Sequence, residues 1–138
     1  MSAYATVADL LVYGIGTSAI PGTVTDANKL AAITAASAKA DSYLGSRFTL
    51  PITVWGADLT AAVCQIAAYE IIAALVGFNP EDGKNVVLVD RKNDAVRWLE
   101  QVARGMATPT GVTDSSSGGV GTPSARAYSR PSRGWNRC

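Results

Sequence analysis

A chain of 138 residues is long enough to bury one core, and a formal net charge of +1 gives no case for nucleic-acid binding by the chain as a whole. No histidine is present, so the commonest general base and metal ligand are missing, and the two cysteines have neither metal spacing nor a histidine partner. Neither an enzyme nor a cofactor is expected. Hydrophobic residues make up 48% of the chain but aromatics only 7%, a balance that suits closely packed alanine-rich helices better than a β-sandwich.

Met1 to Leu10 lacks the basic start and long apolar run of a signal peptide. Thr6 is placed to cap a short first helix over Val7–Tyr13, ended by Gly14. Gly14 to Thr25 reads as a loop. Gly14 and Gly16 match two glycines of a dinucleotide fingerprint, but no strand precedes them and Pro21 stands where a helix should run.

Thr25 or Asp26 caps a second helix with Leu30, Ile33, Ser37, Ala40 and Leu44 on one stripe and Lys29 and Lys39 off it. The stretch Ala40 to Pro51 is the most informative in the chain. Tyr43 and Leu44 end the helix, Gly45 is expected to close it in the left-handed conformation, and Phe48-Thr49-Leu50 favour a short extended run before Pro51.

Asp58 is expected to cap a third, strongly apolar helix running to Phe78 and carrying Ile66, Tyr69 and Glu70. At twenty residues, Leu59 to Phe78 is near the length that crosses a bilayer. Gln65, Glu70 and the absence of basic flanks favour a central helix buried by other helices over a membrane span. Glu70 is the one polar oddity: it reads either as a functional buried carboxylate or, the favoured reading, as a carboxylate paired with an arginine of a neighbouring helix or subunit, such as Arg47, Arg97 or Arg104. Asn79-Pro80 starts a fourth helix, with Val86–Val89 equally suited to a strand. From Asp90 on, Leu88, Ala95, Leu99 and Val102 share a stripe with Trp98 beside it, and Gly105 ends the helix.

Residues 107–138 are a different material. Eighteen of the thirty-two are Ser, Thr, Gly or Pro, too few apolar groups for a core, so a flexible tail is expected after a body spanning 1–106. Residues 1–106 hold ten acidic and eight basic side chains, whereas 107–138 hold Asp114 against four arginines. The body is mildly acidic and the tail basic. Arg126, Tyr128, Arg130, Arg133, Trp135 and Arg137 interleave cations with aromatics, the types that dominate interface hot spots. A disulfide between Cys64, in the most apolar run, and Cys138, at the chain end, is not expected. The fold class is therefore mainly α: a bundle of about four helices with a short extended segment after the second and a long irregular C-terminal tail.

Three segments together are distinctive: Tyr4-Ala5-Thr6-Val7-Ala8-Asp9-Leu10, Tyr43 to Pro51 including Arg47-Phe48-Thr49-Leu50-Pro51, and Asp94 to Gly105 with its Arg97-Trp98-Leu99. With Ala67-Ala68-Tyr69-Glu70 between them, residues 4 to 105 resemble a Mu-like phage and prophage family once catalogued only as a domain of unknown function. That family is similar to the head–tail connector, or neck adaptor, proteins of long-tailed phages. Asn79–Val89 is more apolar, and the tail longer, than the pattern has them. The resemblance implies a virion protein of the phage neck, forming a ring of about twelve copies under the portal. Such a ring extends the DNA channel and meets a stopper or tail-completion protein beneath, and DNA passes without sequence-specific binding. Leu30, Ile33, Tyr43, Leu44, Phe48, Ile66, Tyr69, Glu70, Trp98 and Leu99 would pack the core and the ring, and the six tail residues would dock on portal. Two other readings stay open: a stopper or tail-completion protein of the same neck, and a small nucleic-acid-binding module using the basic tail.

Overall fold

The computed structural model describes residues 3–16, 20–77, 79 and 81–112, and among these it is mainly helical, with four helices and no strand. Helix α1 (Val7–Asp9) continues as a π-helical turn over Leu10–Gly14. Thr6 and Asp9 form a reciprocal capping box, each side chain accepting from the other residue's backbone N–H. Helix α2 spans Asp26–Leu44 with Thr25 as its cap. Helix α3 spans Ala57–Ile71 and runs into a second π-helical turn, Ile72–Val76, which Gly77 ends at φ +104°. Helix α4 spans Gly83–Ala103.

Helix α3 is the centre, and each of the other helices packs on it. Leu59, Ala62, Val63, Cys64, Ile66, Ala67, Ala68 and Ile71 are all buried, so this helix is enclosed on most sides, as its all-round apolar sequence requires. Among the described residues Ala57–Val76 is the one helix long and apolar enough to cross a membrane, with mean hydropathy 1.9, and half of that stretch is buried inside the fold. The uncovered part lies at its end, where Ala73, Ala74, Leu75 and Val76 are exposed.

The expected stripes pack largely as read. Ile33, Ser37, Ala40 and Leu44 of α2 and Leu88, Ala95, Leu99 and Val102 of α4 are buried, with Trp98 half-buried beside them. Ser37 is tolerated in the core because its hydroxyl oxygen accepts the Tyr4 N–H at 3.0 Å. Leu30 departs from the reading: it is 49% exposed, turned away from the core at the edge of the stripe.

Local chemistry is corrected at four places. Gly45 is right-handed at φ −62°, because the chain continues past Leu44 with another turn in which Arg47 and Phe48 N–H both reach the Leu44 carbonyl. That turn takes the place of the start of the expected extended run; Thr49–Gly56 then cross to α3 without pairing, and the Leu50–Pro51 peptide is cis. Gly56, not Asp58, occupies the cap position of α3, which frees the Asp58 carboxylate for a longer-range contact. Asp82 caps α4 by accepting from Lys84 N–H, so the helix starts at Gly83, four residues later than Asn79. Asn79 accepts from Glu81 N–H in the preceding turn. Val86–Val89 are helical, since they continue the face that carries Leu88 onto α3.

Gly105 ends α4 as expected, at φ +82°. Gly105 N–H bonds to Val102 O and Met106 N–H to Gln101 O, a paired closure that only a residue at ease with positive φ completes without strain.

Candidate assembly surface

Two ends of the bundle are built differently. At one end the C-termini of α2 and α4 meet the start of α3, and Arg47 joins them. Its guanidinium donates to Val102 O at 2.7 Å, to Ala107 O at 2.8 Å and to Thr108 Oγ1 at 3.3 Å, and its plane lies 5.0 Å from the Phe48 ring. Three donors of one planar group thus close the end of α4 and fix the chain that follows it.

That following chain is not where the tail begins. Ala107–Val112 fold back over the body as a strap: Pro109 is buried, and Asp58 accepts Thr110 N–H at 2.8 Å and the Thr110 hydroxyl at 3.0 Å. Gly56 permits the approach, since a Cβ there would sit 2.1 Å from Thr110 Oγ1. Gly111, at φ +77°, passes against Trp55 and Gly56. Residues 107–112, read from composition as the start of the tail, are therefore held on the body.

The N-terminal segment is fastened on the same body. Tyr4 is fully buried with its ring edge-on to Trp55, centroids 4.9 Å apart. Its hydroxyl donates to Asp41, and its carbonyl accepts from Trp55 Nε1 at 3.1 Å and Thr60 Oγ1 at 3.0 Å. Burial first, then the Asp41 carboxylate, hold the Tyr4 phenol well above its usual pKa.

At the opposite end, the π-helical turns of α1 and α3 and the start of α4 enclose a groove of about 820 Å³. Ile15, Ile72, Val76, Val87 and Leu88 supply apolar walls, and Asp82, Lys84 and Asn85 stand at the α4 end. Arg91 also reaches this groove, but its guanidinium is spent on the Tyr13 and Gly14 carbonyls, at 2.5 and 3.2 Å, which closes the end of α1. Val87 on the groove wall is 52% exposed, and Leu75 and Val86 outside the lining are 50 and 42% exposed. A second uncovered apolar face lies along α2, where Ala27, Leu30, Ala31, Thr34, Ala35 and Ala38 form a flat strip of small side chains.

The residues expected to carry packing fall into three groups. Ile33, Leu44, Phe48, Ile66 and Leu99 are core. Tyr43, Tyr69, Glu70 and Trp98 are half-buried. Leu30 lies on the exposed α2 strip. Lys92 caps the Tyr69 ring, its Nζ 4.8 Å from the centroid. Glu70 makes no ion pair with a described residue. Within one chain the expected partners are engaged or placed elsewhere: Arg47 on the carbonyls above, Arg97 on Asp94 at 3.3 Å, Arg104 at the exposed end of α4, which leaves the pairing to a neighbouring subunit as the form of that expectation still open. Arg126, Tyr128, Arg130, Arg133, Trp135, Arg137 and Cys138 lie outside the described residues.

Sequence reading gave Arg47 and Asp58 other roles, as a partner of Glu70 and as a helix cap, and passed over Arg91. Each contacts a carbonyl or amide more than fifty positions away, so no local pattern marks it. Among the described residues no group of three or more Cys, Asp or Glu is placed to hold a metal ion.

The described body is mainly helical and leaves two apolar faces uncovered. Residues 4–120 match the family described as "Bacteriophage Mu, Gp36", and the chain belongs to that family. No curated protein matches it in sequence. The match runs past Gly105, across the strap and into the start of the tail. This is a Mu-like phage protein, and family membership points to phage structure or morphogenesis.

Proposed function

We propose that this protein is a head–tail connector: a non-enzymatic adaptor that assembles as a ring beneath the portal, extends the DNA channel and receives the stopper or tail-completion protein below. The observation that carries this reading is the pair of uncovered apolar faces, the α2 strip on one side and the α3–α4 end on the other. Two different faces on one small body are what a head-to-tail contact needs, and such a contact closes into a ring when its rotation does. Isolated exposed apolar residues need no explanation, but a continuous patch on a body this small marks an interface. The mildly acidic body suits a channel wall that DNA slides past. The mainly helical described body favours the adaptor layer over a stopper. On this reading the tail residues Arg126, Tyr128, Arg130, Arg133, Trp135 and Arg137 dock on portal.

Electron microscopy of the purified full chain, alone and mixed with portal, tests the ring. Ring-shaped particles in either sample are expected, and Leu75→Asp, which changes an exposed side chain and so leaves the fold intact, should abolish them. A chain that stays monomeric both alone and with portal refutes the proposal. A nucleic-acid module would instead retain duplex DNA in a filter-binding titration at low salt and lose it steeply at high salt. The adaptor is expected to retain little at either.

A further inference from the structure

The groove between the two π-helical turns and the start of α4 is shaped for large side chains, and the flat α2 strip of alanines cannot fill it. Its volume of about 820 Å³ is in the range that takes a bulky anchor with its neighbours. Among the residues beyond Val112, Tyr128 and Trp135 are the only aromatic side chains, and both stand among arginines. The acidic side chains at the groove are Asp82 on its lining and Glu81, the residue before it; Lys84 and Arg91 are the basic ones, and Arg91 is committed to the α1 carbonyls.

We propose that, in the free oligomer, the segment Arg126–Arg137 of one copy seats Trp135 or Tyr128 in this groove on a neighbouring copy, with its arginines toward Asp82 and Glu81. The proposal rests on the ring reading above. Reach and topology carry it further than shape does. The strap pins the root of the tail at the Arg47–Asp58 end, while the groove lies at the far end of α3. The twenty helical residues Ala57–Val76 separate the two by about 30 Å at 1.5 Å per residue. Twenty-three positions separate Val112 from Trp135, a reach of up to about 75 Å, enough to cross to an adjacent subunit. A tail passed from each copy to the next makes the same head-to-tail link at every subunit boundary. It also covers Val87 and Val76, which are otherwise left in water. The segment proposed to dock on portal is thus parked on a neighbour until portal is met.

Cys138, three positions from Trp135, provides the test, because Cys64 is buried and unavailable. Full-length Val87→Cys is treated with a short thiol–thiol cross-linker and run on a denaturing gel, with Thr34→Cys on the α2 strip as control. A ladder of covalent multimers is expected from Val87→Cys and not from Thr34→Cys. Adding Trp135→Ser should reduce the ladder about tenfold or more, the effect of removing one buried aromatic anchor. Intrachain product alone, no product, or equal ladders from both cysteine positions overturns the proposal. Native mass spectrometry of the same samples separates the two readings: an oligomer without the ladder overturns only the tail placement, whereas a monomer at all concentrations overturns the ring.

Discussion

Arg47 and Cys64 show how much a single side chain contributes here through its surroundings. Arg47 is half-buried and gives three hydrogen bonds to groups from α4 and the strap. A hydrogen bond from a charged donor contributes about 1.5–3 kcal/mol when buried, and the partly exposed setting keeps the net for this site at about that of one such bond, well below the sum of three. Arg47→Met, which keeps the apolar stem, should destabilise the body by about 2–3 kcal/mol in urea unfolding, with Arg47→Lys restoring only part because one ammonium nitrogen cannot stand in for the two guanidinium nitrogens that reach the carbonyls and Thr108. Cys64 carries a pH dependence. Burial, with the Asp9 carboxylate adding to it, pushes its thiol from 9.0 up to about 12. The folded chain keeps that proton between those values while the unfolded chain releases it. The contribution to stability is therefore complete below pH 9 and is lost as pH rises toward 12. Tyr4 acts in the same direction above pH 10. Thermal melts from pH 8 to 11 should show a falling midpoint, with a shallower fall in Cys64→Ala.

Two glycines govern how elements approach. A Cβ at Gly14 would lie 2.7 Å from the Cys64 carbonyl and 2.9 Å from Leu10 Cδ1, so this glycine sets how closely α1 packs on α3. At Gly56 the clash falls on Thr110, and the strap has to lift. Gly56→Ala should speed proteolytic cleavage within residues 107–112 by several-fold while lowering the melting temperature little. Gly14→Ala should lower global stability by about 1–3 kcal/mol, the usual cost of overpacking. Helix existence and facing were legible beforehand because periodicity is a local signal: Thr6, Thr25, Gly105 and the Leu88–Val102 stripe could all be read directly. Helix starts were less so. Asn79-Pro80 and Asp82 are both good caps, and the choice fell to Asp82 because the helix must deliver Leu88 to α3. Gly45 had the composition of a left-handed stop, but the Leu44 carbonyl found partners in the next turn, which removed the need for one.

Taken as a whole, the described molecule is a helical body with Ala107–Val112 strapped onto it. Thr108, Pro109, Thr110 and Gly111 look like linker residues in composition, whether or not something holds them. A chain ending at Val112 should melt within a few degrees of the full chain and lose portal binding. A chain ending at Met106, which loses the contacts to Arg47 and Asp58, should melt several degrees lower; calorimetry on both truncations distinguishes the two boundaries. Portal binding retained by the chain ending at Val112 would refute a tail-borne anchor.

Helical class, the central apolar helix, the basic aromatic tail and the family resemblance all follow from residue types and their spacing along the chain, since each depends on neighbours within a few turns. The Arg47 clamp, the Asp58 strap, the exposure of Leu30 and the groove at the α3–α4 end depend on residues brought together from fifty or more positions apart or on which face the packing leaves open. Packing alone decides those, because a helix stripe wider than its partner leaves some apolar residues outside, and nothing in the spacing says which.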